Sequence, residues 1–170
     1  MPFFSSTNHF ETQHPGEKVL LLTRKHWFVL VAPIVLISLL VILPFAIYFF
    51  IRNFDVYQDS SELYWFLVSV YFLFVWNFAF YTILIYVLNT IIVTNERVIE
   101  NEQLGLFNHN VSEIPIEKVQ DISVHIVGVI PTFLNFGNID IQSAGSTKKF
   151  EFTNLPNPKK IKDLIIRLHG

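Results

Sequence analysis

The chain has 170 residues, 52% hydrophobic and 16% aromatic, with a mean hydropathy of +0.45. So apolar a composition argues against an ordinary soluble domain and for a membrane protein. A net charge of −2 gives no general attraction for nucleic acid, and the lack of cysteine excludes disulfides, thiolate catalysis and cysteine-ligated metal.

Residues 1–26 form a polar N-terminal segment whose last part, "EKVLLLTRKH", carries Lys18, Arg24 and Lys25. The run at 27–51, "WFVLVAPIVLISLLVILPFAIYFFI", holds no charge. At about 1.5 Å per residue it is long enough to cross a hydrocarbon core of about 30 Å, and membrane helices tolerate prolines such as Pro33 and Pro44. A signal peptide fits less well: the run is too long, it follows a polar stretch, and no small-residue cleavage site comes after it. Residues 52–62, "RNFDVYQDSSE", make a short loop with one basic and three acidic residues. A second uncharged run at 63–88 has aromatic residues at both ends, as an interfacial belt requires. Asn77, near its middle, is expected to hydrogen-bond the neighbouring helix. The basic flank against the acidic loop places both termini in the cytoplasm and the loop outside.

From residue 89 the period changes. "TIIVT", "RVIENEQ" and "LFNHNVSEI" are short β-forming runs separated by turns at Asn95-Glu96 and Leu104-Gly105. "NIDIQS" alternates, with Ile139 and Ile141 on one face, and "KKFEFT" answers it with Phe150 and Phe152 inward. Between them "SAGST" has hairpin chemistry, with Gly145 free to take positive φ. Asn157 and Pro158 suit the N-cap and first position of a last helix. Its Ile161, Leu164, Ile165 and Leu168 form one apolar stripe.

Several of these stretches occur in an order that resembles the bacterial pleckstrin-homology (YdbS-like) membrane family. Thr94 and Arg97 match T-x-x-R; Ile114-Pro115 with Val119 and Asp121, Phe136-Gly137 with Ile139 and Ile141, and Asn157-Pro158 match its later motifs. "HPGEKVLLLTRKHW" matches its Gly-Glu pre-membrane segment. The resemblance implies a membrane α-helical hairpin of two transmembrane helices followed by a mainly-β PH-like barrel with a C-terminal α-helix. The barrel would occupy 89–170 and lie close to the inner leaflet.

Catalytic chemistry finds no support. The six histidines lack metal-binding spacing, and no phosphate-binding loop or nucleophile elbow occurs. No catalytic, cofactor or metal residue is expected, and the protein is not expected to be an enzyme. Two small basic clusters, Lys148-Lys149 and Lys159, Lys160 and Lys162, are candidates for contact with a membrane surface. Residues 89–170 hold eight Lys or Arg against nine Asp or Glu, so phosphoinositide capture by charge is not expected. The sequence therefore points to an integral protein of the cytoplasmic membrane that binds or scaffolds in a membrane protein assembly. Protein partners or self-association are expected and nucleic acid is not. A lipid-headgroup or envelope sensor and a structural oligomerising component remain the alternatives.

Overall fold

The structure, a computed structural model, describes residues 13–144 and 149–169. Gly145 and Lys148 lie outside that range. The chain divides into two compact units, 27–86 and a second made of the N-terminal segment together with 87–170.

The first unit is helical. A 3-10 turn (Trp27–Leu30) leads into α1 (Val31–Ile51), a short α2 (Asp55–Asp59) fills the loop, and α3 (Ser61–Leu88) returns. Trp27–Ile51 and Ser61–Leu88 are long and apolar enough to cross a membrane. Large apolar side chains such as Phe50, Phe74 and Trp76 are exposed, as they would not be on the core helices of a soluble fold. Pro33 lies in the first turn of α1, where no intrahelical N–H is needed, whereas Pro44 lies in the interior. Pro44 has no N–H to offer the Leu40 carbonyl, and the Tyr71 hydroxyl of α3 donates to that carbonyl at 2.8 Å instead. Tyr64 donates likewise to the Pro44 carbonyl. Asn77 departs from expectation. Its Nδ2 donates to Leu73 O one turn back in its own helix, at 2.8 Å, where that carbonyl is within reach without any partner helix.

The second unit is mainly β. Strands β1 (Val19–Arg24), β2 (Thr90–Thr94), β3 (Arg97–Gln103) and β4 (His109–Pro115) form an antiparallel sheet in that order. Strands β5 (Val119–His125), β6 (Phe136–Ser143) and β7 (Lys149–Pro156) form another. A short α4 (Val129–Leu134) joins β5 to β6, and α5 (Pro158–His169) closes the chain. Val93, Val98 and Ile114 of one sheet, Ile139, Ile141, Phe152 and Leu155 of the other, and Ile161 and Ile165 of α5 share one core. Leu164 and Leu168 pack against it, so the expected helical stripe is the one that docks.

Two expectations change. The sheets do not close into a barrel among the described residues. At one seam, a 3-10 turn (Ile116–Lys118) after Pro115 redirects the chain between β4 and β5. At the other, β1 ends at Arg24, and just beyond it His26 N donates to Asn154 O of β7 at 2.6 Å. In addition, the N-terminal segment supplies an edge strand: β1 pairs with β2 from Val19↔Thr94 to Arg24↔Thr90. The β-unit is therefore discontinuous, with the helical hairpin inserted between two paired strands.

Gly137 is fixed by sterics. A Cβ there would fall 2.5 Å from the His125 carbonyl oxygen, so only glycine lets the start of β6 pass this close to the end of β5.

Candidate functional site

The turn between β2 and β3 is built from its own side chains. The Thr94 hydroxyl accepts from the Glu96 and Arg97 N–H groups at 3.1 and 3.0 Å. Asn95 Oδ1 accepts from Lys18 N at 2.6 Å, and Asn95 N donates to Lys18 O at 3.2 Å, which fastens β1 to the turn. Opposite stands His14-Pro15-Gly16-Glu17, a turn closed by Glu17 N donating to His14 O at 3.1 Å, with Gly16 at φ 91°. Proline second and glycine third, at positive φ, is the chemistry of a type II turn.

These turns bring Glu17 to Arg97. Arg97 Nε donates to Glu17 Oε1 and its Nη2 to Glu17 Oε2, each at 3.0 Å, a bidentate fork. Thr94 Oγ1 adds a bond to Oε1 at 2.8 Å, and His14 N adds one to Oε2 at 2.9 Å. Nη1 of Arg97 reaches Glu113 Oε2 on β4 at 2.6 Å. The Glu17 side chain is 0% exposed. Burial pushes its carboxyl upward, yet the Arg97, His14 and Thr94 hydrogen bonds and the Arg97 charge outweigh that and hold it at about 2. Arg97 is correspondingly raised, first by its hydrogen bond to Glu17.

Beside this pair opens a cleft of about 470 Å³, where His14, Glu96 and Glu117 face the apolar Ile116 and Leu168. His14 Nδ1 lies 2.9 Å from Glu96 Oε2. Ligand atoms of His14, Glu17 and Glu96 come within 4.8 Å of one another. A cation there would have to displace the guanidinium to which both Glu17 oxygens are committed, so this donor set does not suit a metal. The cleft offers carboxylates and an apolar wall.

Thr94 and Arg97, Gly16 and Glu17, and Phe136-Gly137 thus serve one architecture, and a family model described as "Bacterial PH domain" matches residues 18–169. The chain belongs to the bacterial PH domain family. No curated protein matches it. Among solved structures, a DUF1696 family protein with a pleckstrin-homology domain from Shewanella loihica PV-4 is similar over 48% of this chain and 71% of its own. The identity is 13% and the TM-score 0.40, a level that carries no further argument.

In this bacterial PH domain the candidate lysines do not gather. Lys159 and Lys160 are exposed at the start of α5, next to the end of α4, where Asn135 Nδ2 donates to Asn157 Oδ1 at 2.7 Å. Lys162 is half-buried and lines a separate hollow with Asp121 and His169. Lys149 pairs with Gln142 at the far end of the second sheet. The Glu17–Arg97 pair was not foreseen. Its one local signal is Pro15-Gly16, which marks the turn but not a partner 80 residues away.

Proposed function

We propose that the chain is a membrane-anchored binding and scaffolding module that acts in a membrane protein assembly and carries no catalytic centre. The hairpin spans the cytoplasmic membrane, and the bacterial PH domain is its platform. The observation that carries this reading is the double attachment. Adjacent paired strands lead into and out of the hairpin, with His26 directly before Trp27 and only Asn89 between α3 and β2. A domain joined twice by such short links gains a high local concentration of membrane-proximal partners and loses reach, which suits a fixed platform better than a mobile reader.

The test is photocrosslinking of the full chain in native membranes, with the reactive group at Glu117 beside the cleft and at Leu20 on the outer edge of β1. Recurrent protein adducts at either position are expected. Adducts with lipid alone, together with tight and headgroup-selective vesicle binding that survives salt, would replace the scaffold with a lipid sensor.

A further inference from the structure

The four most exposed large apolar residues among those described are not on the helical hairpin. They are Phe107 (98%), Phe133 (87%), Val129 (86%) and Val127 (81%), all in the β-unit and all on two loops. Isolated exposed apolar residues need no explanation, but side chains this exposed and this close to one end of a domain do.

The strand register fixes which end that is. β1 runs out at Arg24, paired with Thr90, the residue that begins β2, so the chain leaves for the hairpin and returns from it at this end of the sheet. Thr90 in turn pairs with Asn101, so β3 runs toward the same end and its turn lies just beyond it. That turn carries Leu104, Leu106 and Phe107, and Asn89 Oδ1 accepts from Gln103 N at 2.9 Å beside it. In the second sheet, His26 N bonds Asn154 O, and the His26 ring stacks on Phe136 with centroids 4.7 Å apart. Phe136 directly follows α4 and its Asn135 cap. The loop with Val127, Val129 and Phe133 is therefore at the same end. Among the described residues, the turns at the opposite end, Asn95-Glu96 and Ile116–Lys118, hold no exposed large apolar residue.

We infer that the β3–β4 turn and the α4 segment are two apolar feet that enter the headgroup and upper acyl region of the bilayer, so the bacterial PH domain rests on the membrane as well as being tethered to it. The occupant is lipid because the chain leaves β1 for the first span and returns from the second into β2 at this end, through links of one or two residues. The charges agree. Exposed Lys159 and Lys160 stand next to α4, where a basic rim beside an apolar wedge meets anionic lipid, and Glu102 at this end is paired with Lys25 at 3.9 Å. α4 is held as a wedge by its own backbone: Gly128 takes φ 104° to start it, Thr132 N donates to Gly128 O, and Asn135 ends it in the left-handed region. The inference rests on the anchoring reading above and adds where the domain meets lipid.

The absence of cysteine makes the test direct. Single cysteines at Gly105, where an added Cβ meets open space, and at exposed Thr132 leave Phe107 and Phe133 intact. Each full-length variant is labelled with an environment-sensitive fluorophore and placed in nanodiscs of phosphatidylcholine and phosphatidylglycerol, with or without lipids bearing a nitroxide high on the acyl chain. Glu117→Cys reports the opposite end and Ser69→Cys reports α3. Blue-shifted emission and nitroxide quenching are expected at 105 and 132, and neither at 117. Phe107→Ser should remove the quenching at 105 while leaving that at 132. Quenching at 69 with water-like emission at 105 and 132 overturns this inference alone. A blue shift at 105 and 132 without lipid quenching also overturns it, in favour of a protein or a second copy covering the feet. No quenching even at 69 overturns the anchoring reading, and this inference with it.

Discussion

Arg97 lies between two carboxylates, and its burial decides what each is worth. Removing one partner from a buried pair leaves an uncompensated charge, at a cost of about 3–5 kcal/mol. Glu17→Gln keeps Glu113 on Arg97 and should therefore destabilise the full chain by up to about that much at neutral pH, read as a lower melting temperature of the β-sheet signal. The acid limb gives a second readout. The Glu17 carboxyl sits at about 2 in the fold against an ordinary 4.5, so its contribution is complete above about 4.5 and is lost as pH falls toward 2. In Glu17→Gln that limb should flatten; an unchanged acid profile would mean the pair does not carry it. Glu100 has the opposite sign. Burial, then the neighbouring Glu102 charge, push it up to about 7 against the pull of Lys25. A carboxyl raised in the fold favours folding below its unfolded value and loses that advantage as pH rises through about 7. Glu100→Gln should thus melt higher than the parent above pH 7 and the same or lower below pH 4. No gain on the alkaline side would show that the ionised form is accommodated. At this scale the sequence displayed Thr94, Arg97, Gly16 and Glu17 as separate motif positions. Their meeting depends on strand pairing across the inserted hairpin, which no local pattern encodes.

Elements were more legible, because periodicity is a local property. Ile139 and Ile141 are buried as their alternation requires, and the stripe of α5 packs on the core through buried Ile161 and Ile165 and partly buried Leu164 and Leu168. β1 escapes a reading by periodicity, since Val19-Leu20-Leu21-Leu22 shows no alternation and lies shortly before an apolar run. Its omission has a consequence. A fragment of residues 89–170 lacks both β1 and Glu17, exposing the β2 edge and removing the bidentate partner of Arg97. Such a fragment should aggregate or melt non-cooperatively, while one that joins residues 13–26 through a short linker to 87–170 should give a cooperative transition. Equal stability of the two would show that β1 is dispensable. The hairpin offers a parallel case. Pro44 was legible as an interruption, but the donor that replaces its missing N–H was not. Tyr71→Phe keeps the ring and removes the donor to Leu40 O, a loss of about 0.6–2 kcal/mol by the range seen for membrane hydrogen bonds. It should lower the thermal stability of the detergent-solubilised chain slightly, whereas Tyr81→Phe, with an exposed ring, should not.

For the whole molecule, charge predicts the side and strand pairing constrains it. The positive-inside bias predicts that the flank with Lys18, Arg24 and Lys25 stays in the cytoplasm and that the loop with Asp55, Asp59 and Glu62 crosses. Strand pairing says less about direction but more about consistency. Because β1 and β2 are hydrogen-bonded neighbours, the segment before the first helix and the domain after the second must share one side, whichever side that is. Two crossings satisfy this; one does not. With no native cysteine to interfere, Ser60→Cys and Glu117→Cys can be probed in intact cells with a membrane-impermeant thiol reagent. Position 60 should label in intact cells and position 117 only after permeabilisation. The reverse pattern would keep the fold and the pairing but place the bacterial PH domain outside, where its feet would meet the outer leaflet. Labelling of both positions in intact cells would mean that the hairpin does not cross at all, and the short links at His26 and Asn89 would then tie the domain to something other than a bilayer.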